Sequence, residues 1–232
     1  MLKKNSVTYF SAHLPNYQPE KNALFSLLSH DEVVRAKRFR STEDGERFIL
    51  TRGLLRKQLS FYTNVAPHAI QFSYQHNGKP FLSENPMGLY FNVSHSKDMA
   101  LFGFIKAHDI GVDIEKIDRK INLKTAKKMF SEKEYNELIA LPCSQQPEAF
   151  YSIWSAREAL IKAAGASIFS HLPDFSINLS QKKQLISLES DHYGIERLAI
   201  HPDYAATIAV KTPTDFERER ACPSGQEWLP SE

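Results

Sequence analysis

Cysteine is scarce in this chain of 232 residues, and Cys143 and Cys222, the only two, form no CxxC pair. Structural zinc sites and disulfide frameworks need closely patterned cysteines, so neither is expected. Long hydrophobic runs are also missing, since no stretch of about 18 apolar residues occurs. The N-terminus carries no apolar segment before a small-residue cleavage site. We therefore expect a cytoplasmic protein without a membrane partner.

Two common phosphate-binding loops, GxxxxGK[ST] and GxGxxG, do not occur in the sequence. The net charge of +2 excludes a polycationic surface and argues against a nucleic-acid partner. Basic residues are instead concentrated between Arg35 and Lys57, where they outnumber the acids. A local basic region on a near-neutral protein suits a compact anionic ligand or an acidic partner surface.

The order of predicted elements favours an α+β fold rather than a doubly wound sheet, because long helices and runs of strands do not alternate regularly. Helices are predicted at Val33–Arg38, about 43–62, Leu123–Met129, Glu132–Leu141 and about 148–164, and strands at Val7–Phe10, Ile70–Tyr74, Leu89–Val93, Met99–Ile105, Ile110–Glu115, Phe175–Leu179, Leu185–Leu188 and Ala205–Val210. The layout of the first half is loosely repeated. We expect one half over 1–106, a second over 107–211 and a loose, charged tail over 212–232.

The segment GVDIE places Asp113 and Glu115 two residues apart in a predicted strand. Strand geometry puts both carboxylates on one face. Adjacent carboxylates repel each other unless a cation or a proton separates them, and magnesium accepts such an incomplete oxygen set. A solvated strand edge with two exposed acids is the alternative interpretation.

The predicted helix FYSIWSAREALIKAAG carries Glu158 and Lys162 four residues apart and therefore on one face. Alone, this spacing is typical of a surface ion pair. Combined with GVDIE, it adds a third carboxylate and a cation, as metal-assisted phosphoryl transfer requires. Ser94, His95 and Ser96, in FNVSHS, are candidate phosphate contacts, although serine-rich turns often satisfy their own backbone.

The combined motifs resemble the surfactin-type 4′-phosphopantetheinyl transferases. The matching pieces, in the order of that family, are RAKRF–ERF–GLLR, NGKPFL, FNVSHS, IGVDIEKID, MFSEKEYNEL and FYSIWSAREALIKAAG. The resemblance covers about residues 35–165. It implies two similar α+β halves related by a pseudo-twofold axis, and a reaction that moves the phosphopantetheine arm of coenzyme A onto a serine of an apo acyl or peptidyl carrier protein.

The resemblance also implies residue roles, and it makes coenzyme A the co-substrate and Mg²⁺ the cofactor. Asp113, Glu115 and Glu158 would hold the magnesium, Lys162 would contact the pyrophosphate, Arg47, Ser94, His95 and Arg35 would serve the 3′-phosphate, and Gly78 and Lys79 would lie near the adenine. Two departures stand out: Arg157 replaces a lysine common in the family, and the segment ASIFSHLPDFSI after Gly165 matches the family pattern only loosely.

Two carboxylates are candidates for the general base. Glu158 would take the serine proton directly or through water. Glu134 is the second candidate by family analogy, but Ser131 and Glu134 also fit a capping box, so a structural role would explain it equally well.

Other functions use similar residues. A metal-dependent nuclease also combines carboxylates with a lysine around magnesium, but on alternate strand positions rather than at helical spacing. A catalytically silent coenzyme A or carrier-binding module is a further alternative. For the carrier we expect segment Leu123–Leu141 as docking surface, with Met129 and Phe130 either as apolar anchors or simply packed inside. The two-half length predicts a monomer.

Overall fold

A computed structural model describes residues 6–166 and 175–212. Its helices are α1 (Lys21–Phe25), α2 (His30–Lys37), α3 (Thr42–Thr63), α4 (Leu123–Met129), α5 (Glu132–Ala140) and α6 (Gln146–Ala164), and its strands are β1 (Thr8–His13), β2 (Phe72–Tyr74), β3 (Pro80–Leu82), β4 (Leu89–Ser96), β5 (Met99–Lys106), β6 (Ile110–Lys116), β7 (Lys183–Leu188), β8 (Asp191–Leu198) and β9 (Tyr204–Thr212). The mixture of helices and antiparallel strands confirms the predicted α+β class.

Sequence signals set the ends of the helices. Ser29 and Glu32 form a capping box at the start of α2, and the Ser41 hydroxyl accepts the Asp44 amide at the start of α3. The last turn of α6 ends at Gly165, which adopts the left-handed conformation with φ of 67°. Glycine occupies that region without the steric penalty of a side chain, so the helix stops there.

The two halves share one strand arrangement. In the first half the sheet order is β1-β5-β4, and in the second it is β6-β9-β8-β7. In both, the first strand pairs antiparallel with the last, and the last pairs antiparallel with the one before it. A long helix, α3 or α6, lies between the first strand and that final hairpin in chain order. The repeated layout predicted from the sequence is therefore present in the sheets.

Each long helix packs on its own sheet through apolar side chains. Leu55 and Leu59 of α3 are fully buried with Phe102 of β5. Ala159 of α6 is buried with Ala209 of β9. Burial of this apolar surface stabilises the halves, at about 25 cal/mol per Å² removed from water.

The halves meet where β4 lies against β6. Side chains of β4, not its main chain, bond to the main chain of β6. The side-chain oxygen Oδ1 of Asn92 accepts the Val112 amide at 2.8 Å, and the Ser96 hydroxyl accepts the Lys116 amide at 3.2 Å. Behind this seam an apolar cluster joins Leu101 of β5 to Ile114 of β6. Residues at alternate positions of β4 therefore face the second half.

One predicted strand is wrong. Residues 175–178 form no strand, although Phe175 and Ile177 alternate as buried residues. Their backbone groups bond to side chains instead: the Phe175 carbonyl accepts from Arg157 at 3.1 Å, and the Ile177 amide donates to Glu134 at 2.7 Å. Period-two burial thus reflects a segment whose backbone groups bond to the buried ion pair of Arg157 and Glu134.

Two strands, β3 and β8, were not predicted. A proline opens β3, which is only three residues long, and β8 contains Gly194 and three charged residues. Such compositions are poor strand signals on their own. The predicted tail over 212–232 lies outside the described residues, apart from Thr212, which ends β9. Within the described ranges, no helix has both the length and the apolar character that a membrane span needs.

Candidate active site

A close approach of β6 to α6 builds the site. A β-carbon on Gly111 would lie 2.5 Å from the Ala163 backbone nitrogen and far inside van der Waals contact with the Ala159 carbonyl oxygen. Only a residue without a side chain permits this crossing. The glycine of GVDIE therefore lets α6 lie directly over the strand that carries the two carboxylates.

Asp113 accepts two hydrogen bonds through one of its oxygens. The Lys162 ammonium donates to Oδ1 at 2.6 Å and the Ser94 hydroxyl donates to the same atom at 2.9 Å. Lys162 also donates to the Ser94 oxygen at 3.2 Å. The structure thus joins β4, β6 and α6, which supply one residue each to this triad, in a single charged cluster.

The pKa values of two neighbouring carboxylates are raised. Burial, followed by the charge of Asp113, raises the pKa of Glu115 to about 7, against a lowering influence from the Ser96 hydroxyl that donates to it at 2.9 Å. Burial also raises the pKa of Glu158, which Lys162 partly opposes. Burial is the larger cause of both shifts, and the charge of Asp113 adds to each.

The acidic cluster fits a divalent cation in its donor chemistry. The second oxygen of Asp113, Oδ2, is buried and has no hydrogen-bond partner, and a buried carboxylate oxygen without a partner is costly. Carboxylate oxygens are the ligands that magnesium prefers. Among the described residues, however, no group of three or more His, Cys, Asp or Glu side chains has the arrangement of a metal site. Mg²⁺ therefore stays a prediction.

A pH dependence of stability follows from Glu115, whose pKa rises from 4.5 in the unfolded chain to about 7 in the fold. The stability given by its neutral form is complete below the unfolded pKa and is lost as the pH rises through the folded pKa. In EDTA, the melting temperature should fall between about pH 5 and about pH 8, and Glu115→Gln should flatten that slope. Differential scanning fluorimetry measures both. Equal slopes for the two proteins would contradict the assignment.

An open cavity of about 560 Å³ adjoins the cluster and runs between the halves. Its lining includes Gly78 and Lys79 from the β2–β3 turn, Asn92 from β4, and Glu158 and Lys162 from α6. The residues predicted near the adenine, Gly78 and Lys79, therefore border the same space as Glu158 and Lys162. The Lys79 ammonium itself bonds to main-chain carbonyls, at 2.9 Å for Ile110 and 2.7 Å for Lys162.

His95 and Arg47 are two of the four residues predicted to bind the 3′-phosphate. His95 lies on β4 beside Ser94 and is exposed as a residue, but desolvation of its imidazole lowers its pKa, as do the charges of Lys162 and Arg47. Arg47 pairs with Glu43, with Asp44 at 3.2 Å and with Asp98 at 3.9 Å.

Arg35 makes its contacts away from Asp113, Lys162 and Ser94. It is exposed, and its guanidinium lies 5.2 Å from the centroid of the Phe48 ring. A role in phosphate binding stays a prediction for all four residues, Arg35, Arg47, Ser94 and His95.

Glu134 lies at the centre of a separate, fully buried network. Its carboxylate accepts the Ser131 amide at 2.7 Å, which completes the predicted capping box, and the Ile177 amide at 2.7 Å. The Arg157 guanidinium donates to it at 2.7 Å. Glu134 is 0% exposed, so every side of this carboxylate faces protein.

Three features of the site were not predicted from the sequence. The Asn92 side chain accepts a hydrogen bond from β6, the Ser96 hydroxyl donates to Glu115, and Gly111 allows the crossing of β6 and α6. The period-two polar pattern of FNVSHS could have indicated that Asn92, Ser94 and Ser96 share one face of β4. Nothing in the sequence signals which strand that face meets.

Fold and site together define a two-half α+β protein with an acidic cluster beside a cleft, and comparisons with known proteins identify its family. Residues 109–209 match the model of the 4′-phosphopantetheinyl transferase superfamily, and residues 15–103 match the family described as 4′-phosphopantetheinyl transferase, N-terminal. The 4′-phosphopantetheinyl transferase HetI of Nostoc sp. is 34% identical over 202 residues, which make up 85% of each chain. The 4′-phosphopantetheinyl transferase Sfp of Bacillus subtilis is 33% identical over 218 residues, 93% of this chain and 96% of the relative.

The chain therefore belongs to the 4′-phosphopantetheinyl transferase family. The predicted family, its transferase class and its transfer of the phosphopantetheine group from coenzyme A to carrier proteins are confirmed. The comparisons give no support to the nuclease or to the silent binding module.

Proposed function

We propose that the β6–α6 crossing is where the transfer takes place and that a serine of an apo acyl or peptidyl carrier protein is the acceptor. Its hydroxyl oxygen attacks the β-phosphorus of coenzyme A, and an O–P bond forms. The pyrophosphate bridge breaks, and its electron pair leaves with adenosine 3′,5′-bisphosphate. The observation that carries this proposal is the triad of Asp113, Lys162 and Ser94 at the edge of a cleft large enough for a nucleotide.

Charge stabilisation is the task of the cluster. The transition state of phosphoryl transfer spreads negative charge over the phosphate oxygens. Lys162 borders the cleft and offers a cation toward those oxygens. Asp113, Glu115 and Glu158 would hold Mg²⁺, which when bound neutralises pyrophosphate charge and polarises the reacting phosphoryl group.

For the general base we propose Glu158. It lines the cleft, and burial raises its pKa, which brings a carboxylate nearer to the acceptor proton in basicity. Glu134 is enclosed by the Ser131 amide, the Ile177 amide and Arg157. These contacts favour a structural role for Glu134 over that of a base.

The carrier reaction is tested by intact-mass spectrometry. A panel of apo acyl and peptidyl carrier proteins is incubated with the enzyme, coenzyme A and magnesium. We expect a gain of about 340 Da, the mass of one phosphopantetheine arm, on at least one carrier. The same carrier with its acceptor serine changed to alanine is the control and should gain nothing. A gain on the alanine carrier would contradict serine as the acceptor.

Glu134→Gln separates the two roles of Glu134. The amide keeps an oxygen for only one of the two backbone donors, which bond to different carboxylate oxygens. It also leaves the buried Arg157 cation without its carboxylate, which typically costs about 3–5 kcal/mol of unfolding free energy. Turnover per folded molecule, measured in the cold, should stay within about threefold, whereas loss of a general base lowers it about 10²–10⁴-fold. Urea titration and the carrier assay give both numbers, and Glu132→Gln on the exposed start of α5 is the matched control. A stable variant with a 10²-fold lower turnover would overturn the structural role.

The predicted docking surface for the carrier, segment Leu123–Leu141, needs one correction. Met129 and Phe130 are only 6% and 5% exposed and pack in the cluster of α4, α5 and α6, so their predicted use as apolar anchors is wrong. Lys127 and Lys128 of α4 are exposed, and we propose them as the basic contacts for an acidic carrier. A monomeric state, a cytoplasmic location and a division of the halves at 106/107 also remain proposals.

A further inference from the structure

Lys79 connects the two halves through main-chain atoms. It belongs to the β2–β3 turn of the first half, where its amide donates to the Asn77 side chain at 3.1 Å. Its ammonium reaches the second half and donates to the carbonyls of Ile110 at 2.9 Å and Lys162 at 2.7 Å. One cation thus touches the first residue of β6 and the last turn of α6.

The Lys162 carbonyl has a clear need for a donor. The last four carbonyls of a helix have no partner within it, and the negative end of the helix dipole lies there. Lys162 is within three residues of the C-cap Gly165, so its carbonyl is one of these groups. A lysine ammonium offers three donors and a full charge, and it satisfies this carbonyl and that of Ile110 together.

The position of these contacts relates them to the chemistry. Ile110 precedes Gly111, where β6 and α6 come closest, and Lys162 is the residue whose side chain holds Asp113 at 2.6 Å. A cation that links the two backbones at this point restrains the distance between the strand that carries Asp113 and the helix that carries Lys162.

The Lys79 ammonium loses solvation in this position, which indicates that its contacts with the two carbonyls matter. Burial, opposed in part by Asp109, lowers the pKa of Lys79 to about 8. An exposed lysine of the same turn would lose no solvation. The charge is held here by two main-chain dipoles, those of the Ile110 and Lys162 carbonyls.

We propose that Lys79 is a positioning residue: its ammonium clamps the start of β6 to the last turn of α6 and so holds Lys162 in register with Asp113. This inference rests on the proposed transfer at the β6–α6 crossing. It differs from the role that the family resemblance implied, in which Lys79 lies near the adenine. A positioning role acts on the reacting groups, whereas an adenine contact acts on the affinity for the nucleotide.

The experiment compares Lys79→Met with wild-type protein and with Lys182→Met, a change at a lysine whose side chain is 64% exposed. The carrier assay gives kcat and the KM for coenzyme A at a temperature where circular dichroism shows all three proteins folded. Isothermal titration calorimetry gives the Kd for adenosine 3′,5′-bisphosphate, which contains the adenine but no phosphopantetheine.

A positioning role predicts a kcat about 10–100-fold lower in Lys79→Met, because small misplacements of reacting groups are that costly. The Kd for the bisphosphate should change less than about threefold, and Lys182→Met should match wild type throughout. Two outcomes would overturn the inference: an unchanged kcat with only a lower melting temperature, or an unchanged kcat with a weaker Kd. Absence of transfer by wild type and Lys182→Met alike would instead refute the proposed function itself, and the inference with it.

Discussion

Asp113→Asn should lower kcat/KM for carrier modification about 10³-fold while the protein stays folded. Asp113 is the acceptor for both Lys162 and Ser94, and a neutral amide removes the charge that aligns the ammonium. Loss of one preorganised electrostatic group costs about 10²–10³ in rate, and loss of a cation ligand adds to this. The carrier assay by intact mass, run as a time course, measures the effect.

The same substitution should leave the fold intact, for a reason visible in the cluster. The charge of Asp113 is the second cause that raises the pKa of Glu115, so its removal relieves repulsion and should lower that pKa. Asp191→Asn, which breaks a surface pair with Lys211 at 2.7 Å, is the matched control and should keep full activity. A fully active Asp113→Asn enzyme would remove Asp113 from the mechanism.

Gly111→Ala should lower both the stability and the activity of the protein strongly. The added methyl group would overlap the Ala159 carbonyl and lie 2.5 Å from the Ala163 nitrogen and 2.9 Å from the Lys162 β-carbon. Two of these neighbours are backbone atoms, which cannot rotate away, so α6 must move off β6. We expect a loss of about 3 kcal/mol or more in unfolding free energy, and at least a 10²-fold loss of activity because Lys162 and Glu158 move with the helix.

Gly194→Ala provides the comparison for that prediction. Gly194 lies on β8 of the same sheet, and a β-carbon there would be 3.6 Å from the Thr212 methyl group, an ordinary contact. Its unfolding free energy should change by less than about 1 kcal/mol. Urea unfolding of both variants measures the difference. Similar stability losses for the two variants would show that loss of glycine from a strand, rather than the crossing at Gly111, causes the effect.

Much of the site could be predicted because its chemistry is local in sequence. Asp113 and Glu115 alternate along a strand, and Glu158 and Lys162 follow the helical repeat. Each pair therefore shares a face by secondary structure alone. The helices with strong end signals, such as α4 and α6, were likewise placed within about two residues, the usual disagreement at helix ends.

What the sequence could not provide depends on contacts between distant segments. The bond of Lys79 to the Lys162 carbonyl joins residues 83 positions apart, and neither residue type signals it. Phe175 and Ile177 show the converse, since their alternation is real but the partners are the side chains of Arg157 and Glu134. Periodicity reports which residues are buried, and it leaves open which groups satisfy the backbone.

Two similar halves form one site because each supplies a different set of groups. The first half contributes uncharged groups, Asn92, Ser94 and Ser96, along β4, and the second contributes the acids on β6. The hydroxyls of Ser94 and Ser96 bond to Asp113 and Glu115, so they join the two halves and orient the acids at the same time. Each half alone would lack either the acids or the groups that orient them.

Binding of Mn²⁺, a paramagnetic substitute for Mg²⁺, tests the central claim that these acids hold a cation for the transfer. Electron paramagnetic resonance measures free Mn²⁺ as protein is added in the presence of coenzyme A. We predict one tight site per chain in wild type and in Asp191→Asn, and its loss in Asp113→Asn in parallel with carrier modification. Equal Mn²⁺ binding by wild type and Asp113→Asn, or undiminished transfer in excess EDTA, would contradict the account.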